Sequence, residues 1–137
     1  MNKVFVYGSL LKGMGNSSLL KTATLLGRSR ISGYMMLDLG WFPGITPDPD
    51  LKTPVYGEVY EVDEDVLHRL DALEGYNHSN PKAGLYDKNI VSTDFGEATV
   101  YVYNNHRGFH NDNIVFTGDW KSHYRNKFDG EWKDLQE

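Results

Sequence analysis

Val4-Phe5-Val6-Tyr7-Gly8-Ser9-Leu10 stands almost at the start of the chain, and its reading decides the fold. Four β-branched or aromatic residues in a row are too few for a buried helix. A run without alternation fits a strand covered on both faces. Gly8 then lets the backbone turn and leaves room for a ligand to approach the main chain. These residues alone allow two readings, a core strand ending in an ordinary glycine turn or a strand running into a ligand loop.

The rest of the chain is punctuated in the manner of an α+β domain. Asn16-Ser17-Ser18 predicts the capped start of a short helix running to about Leu26, with Gly27 as its stop. Residues 28–39 read as one strand interrupted by Gly33. Residues 41–50 carry Pro43, Gly44, Pro47 and Pro49 and read as loop. Residues 55–62 alternate as a strand, and Asp63 then caps a helix over residues 64–74 that Gly75 ends. Residues 85–93 and 97–103 predict a hairpin around Asp94-Phe95-Gly96. Beyond Asn104 the chain is polar and weakly patterned, with a short helix expected at 120–125 and a disordered tail at 127–137. Five or six strands with two short helices predict a small mixed β-barrel flanked by short helices.

Bulk properties narrow the function. At 137 residues the chain is expected to form one domain, large enough to bury roughly two-thirds of its unfolded surface. It has no cysteine, which excludes disulfides, thiolate zinc sites and a cysteine nucleophile. The net charge of −5 comes with no compensating basic block, so neither nucleic acid nor another polyanion is an expected partner. No apolar run reaches membrane-spanning length and no secretory h-region is evident, so the expectation is a cytoplasmic protein acting on small molecules or a protein partner.

The second helix holds the most informative side chain. On a wheel of about 100° per residue, Val66, Leu67, Leu70 and Leu73 form one apolar stripe. Glu74 falls inside that stripe, whereas Asp71 falls outside it and is free to face water. Burial and the partial negative charge of the helix C-terminus both disfavour an ionised Glu74, and a carboxyl with a raised pKa suits acid–base work near neutral pH. The bland reading of the same residue is a buried glutamate paired with a Tyr, Lys or backbone donor. Ser9 lacks the Gly-x-Ser-x-Gly elbow of a nucleophile. His106 and His110 are four apart, but their Arg-Gly-Phe spacer is a poor helix and fits a solvated loop better than a metal site. His68 falls on the outer face of its helix, and His78 and His123 lie in polar surroundings. Tyrosines 56, 60, 86, 101 and 103 fit sheet packing, and any of them could line a pocket.

Taken in order, Tyr7-Gly8-Ser9-Leu10, Gly57-Glu58-Val59-Tyr60, Leu70-Asp71-Ala72-Leu73-Glu74-Gly75-Tyr76, Leu85-Tyr86 and Gly118-Asp119-Trp120 resemble the γ-glutamylcyclotransferase-like (AIG2-like) superfamily. The likeness spans residues 3–125. Leu11-Lys12-Gly13 is similar to the γ-glutamylamine cyclotransferase branch, although residues 77–84 are longer and more polar than in that branch. The resemblance implies a strand that ends at the mouth of a small barrel, where backbone N–H groups of Tyr7, Gly8, Ser9 and Leu10 hold the carboxylate of a γ-glutamyl group. It makes Gly8 a residue whose side chain would block that group, Ser9 a binding residue, Tyr86 part of the substrate pocket and Glu74 the catalytic acid–base. The implied reaction is cyclisation of a γ-glutamyl amine or amino acid to 5-oxoproline with release of the amine, needing no metal or cofactor. A non-catalytic small-molecule binding or interaction module on the same barrel is the alternative. The released amine stays open among a lysine side chain, a free amino acid, a polyamine and part of a natural product.

Overall fold

A computed structural model of the chain describes residues 2–48, 50, 53–104 and 113–128. Its centre is β1 (Asn2–Val6), whose Val4, Phe5 and Val6 are all buried. β1 lies in the middle of a five-stranded sheet of order β2-β5-β1-β7-β6, with β2 Thr24–Ile31, β5 Val55–Val62, β6 Tyr86–Thr93 and β7 Gly96–Tyr103. It pairs antiparallel with β5, where Val4 faces Tyr60, and parallel with β7, where Phe5 faces Val100. A strand with neighbours on both edges and cover on both faces needs no polar alternation, which is why four apolar residues run together.

The period of two along each strand sends its side chains into two cores. Val4 and Val6 join Leu37, Tyr60, Val66, Leu70, Tyr101 and Tyr103 on one face. Phe5 and Tyr7 join Met36, Ile45, Val100, Val102 and Trp120 on the other. Helix α1 (Glu64–Leu73) starts where Asp63 Oδ1 accepts a hydrogen bond from the Val66 N–H at 2.9 Å, and it docks through Val66 and Leu70. Leu70 is wholly buried, so its truncation to Ala would cost about 2–5 kcal/mol.

Several expectations change. The helix expected over residues 17–26 is only a 3-10 turn, Ser17–Leu20, and Thr24, Leu25 and Leu26 already belong to β2. Asn16 makes no side-chain cap there, and Gly27 sits at a strand irregularity between Leu25 and itself rather than at a helix end. The long strand expected over residues 28–39 breaks at Gly33 into β2 and β3 (Tyr34–Asp38). The Pro/Gly-rich stretch expected as loop contains β4 (Pro43–Pro47), which pairs only with β3 in a separate two-stranded ribbon. Proline is tolerated because this strand is an edge, where the missing N–H is not needed for a ladder. Strands therefore number seven among the described residues.

The mixed α+β fold stands, with the sheet curled toward a barrel. Its outer strands β2 and β6 share no backbone ladder among the described residues. They are drawn together near the β6–β7 turn, where the Asp94 N–H donates to Ser29 Oγ at 3.0 Å and Ser29 Oγ donates to Asp94 Oδ2 at 3.3 Å.

The helix expected at 120–125 is α2 (Trp120–Phe128), so positions 127 and 128 of the expected tail are helical. The remaining tail, 129–137, and His106 and His110 lie outside the described residues. Gly118 precedes α2 with φ +68°, and a Cβ there would lie 1.9 Å from Pro54 O. Asp119 then receives the Ser122 N–H on Oδ1 at 3.2 Å, and Trp120 is driven fully into the core. Gly118-Asp119-Trp120 is thus a turn, a cap and an anchor in succession. No helix among the described residues is long and apolar enough to cross a membrane.

Candidate active site

Where β1 ends, the chain turns sharply. The Leu11 N–H donates to Gly8 O at 3.0 Å, and the Asn16 N–H donates to Ser9 O at 2.8 Å. Asn16 Nδ2 also donates to Ser9 Oγ at 2.9 Å. These bonds consume the turn's carbonyls, while the N–H groups of Ser9 and Leu10 have no protein acceptor among the described residues. Two N–H groups left over beside a cavity are available to an anionic ligand.

Gly8 also has a packing role that its position in the sequence does not reveal. A Cβ at Gly8 would lie 2.6 Å from Pro43 Cγ and 2.8 Å from Pro43 Cδ. The space that a side chain would take is filled by the start of β4, while Gly8 itself still lines the cavity described below. Glycine is required so that Pro43 can pack against the turn, and Pro43 in turn forms part of the cavity wall.

That cavity has a volume of about 330 Å³, in the range of small-molecule sites. Tyr7, Gly8, Ser9, Leu10, Glu74 and Tyr86 all line it, so the chain brings together every site residue expected from the sequence. Asn16, Tyr101 and the segment Trp41-Phe42-Pro43 line it as well. Tyr101 was one of five tyrosines with an equal claim. Residues 41–43 carried no signal of a site because prolines and glycines there read only as loop.

Glu74 is the C-terminal cap of α1, with its N–H donating to Leu70 O at 2.9 Å. The residue as a whole is half-buried, yet its carboxyl makes no hydrogen bond or ion pair among the described residues. Burial alone pushes it up from 4.5 to about 7. A glutamate paired with a Tyr or Lys is therefore not what the fold builds here.

Three tyrosines close the cavity around it. Tyr7 Oη donates to Tyr101 O at 2.8 Å, Tyr86 Oη to Pro43 O at 2.5 Å, and Tyr101 Oη to Asp71 Oδ1 at 2.5 Å. All three phenols are held well above their ordinary range, chiefly by burial, and Glu74's charge adds to the effect in each. They are neutral at any physiological pH. Because each hydroxyl hydrogen is already committed, each phenol oxygen can only accept from a ligand.

Asp71 is not the solvent-facing residue that the helical wheel suggests. It is 3% exposed. Besides Tyr101, Lys88 Nζ reaches its Oδ1 at 2.7 Å and its Oδ2 at 2.8 Å, and His78 Nε2 lies 3.3 Å from Oδ2. The buried face of α1 is rotated toward Asp71 and away from Leu73, because β6 and β7 supply a cation and a phenol to meet the carboxylate. Asp71, His68 and His78 bring ligand atoms within 4.8 Å of one another. Lys88 occupies both oxygens of the carboxylate that such a metal would need, so the cluster is an ion pair shaped by aromatic neighbours. Lys88 Nζ also stands 4.4 Å from the centre of the Tyr76 ring.

A half-buried, unpaired carboxyl and a turn with unpaired N–H groups line one small cavity, an arrangement suited to a small-molecule ligand. The chain belongs to the family described as gamma-glutamyl cyclotransferase, AIG2-like, whose model matches residues 4–122. It is 36% identical over 118 residues to the gamma-glutamylcyclotransferase family protein YtfP of Escherichia coli K12, covering 86% of this chain and 95% of that protein. It is 34% identical over 130 residues to the gamma-L-glutamyl-butirosin B gamma-glutamyl cyclotransferase of Niallia circulans, covering 90% of this chain and 78% of that one. Among solved structures, an uncharacterised protein from Pyrococcus horikoshii matches with a TM-score of 0.73 at 25% identity, over 93% of this chain and 96% of that one. The family resemblance of the motifs is borne out.

Proposed function

We propose that this protein is a γ-glutamylcyclotransferase that converts a γ-glutamyl amine or γ-glutamyl amino acid to 5-oxoproline and the free amine. The observation that carries the reading is Glu74, an unpaired carboxyl raised to about 7 in a cavity that Ser9 and Leu10, with their free N–H groups, also line. Both relatives named as gamma-glutamyl cyclotransferases support it.

The substrate's α-carboxylate is held by the turn over residues 7–10, and its α-ammonium donates toward Glu74 and the phenol oxygens. Glu74 takes a proton from the ammonium. The freed amine attacks the γ-carbonyl carbon, forming the ring C–N bond, and the tetrahedral intermediate collapses by breaking the bond to the leaving nitrogen. Glu74 gives this proton to the leaving nitrogen as that bond breaks and takes a second from the ring nitrogen, which ends as the lactam N–H. Passed on to the released amine, the second proton leaves it as an ammonium, so atoms and charge balance without a further reactant. A carboxyl near 7 is populated in both forms at neutral pH, as a group that must first accept and then donate requires. Because nucleophile and electrophile share one molecule, the enzyme's work is to fold the substrate and move the proton.

The test is Glu74→Gln assayed for 5-oxoproline by mass spectrometry on a panel of γ-glutamyl amines and dipeptides. Turnover should fall by about 10²–10⁴-fold while 5-oxoproline still binds. Unchanged turnover would remove Glu74 from the chemistry. Absence of turnover in the parent, with binding intact, would favour the non-catalytic module.

A further inference from the structure

We infer that the amine released by this enzyme carries a neutral apolar group, best an aromatic one, received by Trp41, Leu73 and Leu85 at the mouth of the cavity. The inference rests on the cyclisation proposed above and extends it to the substrate's other half. Trp41 is 72% exposed, Leu73 40% and Leu85 37%, and all three also line the cavity. A residue that is both exposed and cavity-lining stands at the rim.

The three come from separate segments and are held in place by backbone bonds. Trp41 lies in a turn closed by the Leu39 N–H donating to Phe42 O at 3.0 Å. Leu73 ends α1. The Leu85 N–H donates to Gly75 O at 3.1 Å, which fixes Leu85 against that helix end. An exposed apolar collar continuous with a ligand cavity costs hydration free energy unless something covers it.

Charge selects the occupant. Among the described residues no Lys, Arg or His lines the cavity, and Glu74 is the sole carboxyl that does. That carboxyl is engaged by the substrate's own α-ammonium. Among the described residues a leaving group with a carboxylate finds no cation in the cavity lining, and one with a second ammonium finds no second acid there. A neutral apolar tail leaves no charge unpaired and buries the collar.

The experiment uses the full chain and four amides sharing the γ-glutamyl part: those of phenethylamine, methylamine, putrescine and glycine. With 5-oxoproline as readout, kcat/KM for the phenethyl amide should exceed the other three by roughly tenfold to hundredfold. Trp41→Ala should lower the phenethyl value roughly tenfold more than the methyl value, and Trp41→Phe should restore most of the difference. Trp41 is exposed, so its truncation leaves the core intact. The same four amides are titrated calorimetrically into Glu74→Gln, which ranks the tails without chemistry. If putrescine or glycine amides rank first in both assays, or Trp41→Ala weakens all four equally, the collar assignment is overturned. If the phenethyl amide binds best but no amide yields 5-oxoproline, the collar stands and the cyclisation reading fails.

Discussion

Replacing Glu74 with Gln should favour the folded protein progressively more, relative to the parent, as the solution goes from acid to alkaline. Burial raises the folded carboxyl from 4.5 to about 7, so between those values the folded chain holds a proton that the unfolded chain releases. Stability of the parent must therefore fall as pH rises through this window, and the loss is complete above about 7. At about 1.4 kcal/mol per pH unit, the full loss is roughly 3 kcal/mol. Relative to its value at pH 4, the difference between Glu74→Gln and parent should rise by about 2 kcal/mol at pH 6 and about 3 kcal/mol at pH 8.5. Other titrating groups are common to both proteins and cancel in the difference. Urea midpoints at the three pH values, with m-values checked for equality, measure it. Gln brings its own cost of burying an amide, but that offset does not vary with pH. The slope is the diagnostic, and a flat difference from pH 4 to 8.5 would refute the raised carboxyl. It would also remove the physical basis for assigning Glu74 the proton transfer.

Asp71→Asn should destabilise by roughly 2–4 kcal/mol in thermal or urea unfolding, since Lys88 and Tyr101 would lose a charged acceptor in a nearly dry site; a change under 0.5 kcal/mol would mean the ion pair is not formed in solution. Gly8→Val should lower stability by about 1–3 kcal/mol and weaken 5-oxoproline binding together, because the clash is with Pro43 and moves the cavity wall; parental affinity measured by calorimetry would place the turn elsewhere. Ser9→Ala should keep measurable turnover, as the described partner of its hydroxyl is the Asn16 amide, a donor and not a base; a loss as deep as that from Glu74→Gln would point to a serine nucleophile. Gly118→Ala should cost several degrees in Tm, since a Cβ would meet Pro54 O at 1.9 Å in a backbone region that L side chains avoid.

What was legible in the sequence was whatever depends on neighbours along the chain. The apolar run at 4–7, the Asp63 cap, the Gly75 stop and the hairpin around 94–96 are local signals, and each stands in the fold. Glu74 was legible for the same reason, because helical spacing fixes the face from which it projects. Tertiary structure decided the rest. β4 forms in a Pro/Gly-rich stretch because β3 supplies its partner across 33–42, and local propensity carries no record of that pairing. Asp71 is buried because β6 and β7, distant in sequence, bring Lys88 and Tyr101 to its oxygens. The space beside Gly8 belongs to Pro43, a residue 35 positions on. A wheel or a motif can say which way a side chain leaves the backbone, but what it meets is set by contacts whose partners lie far along the chain.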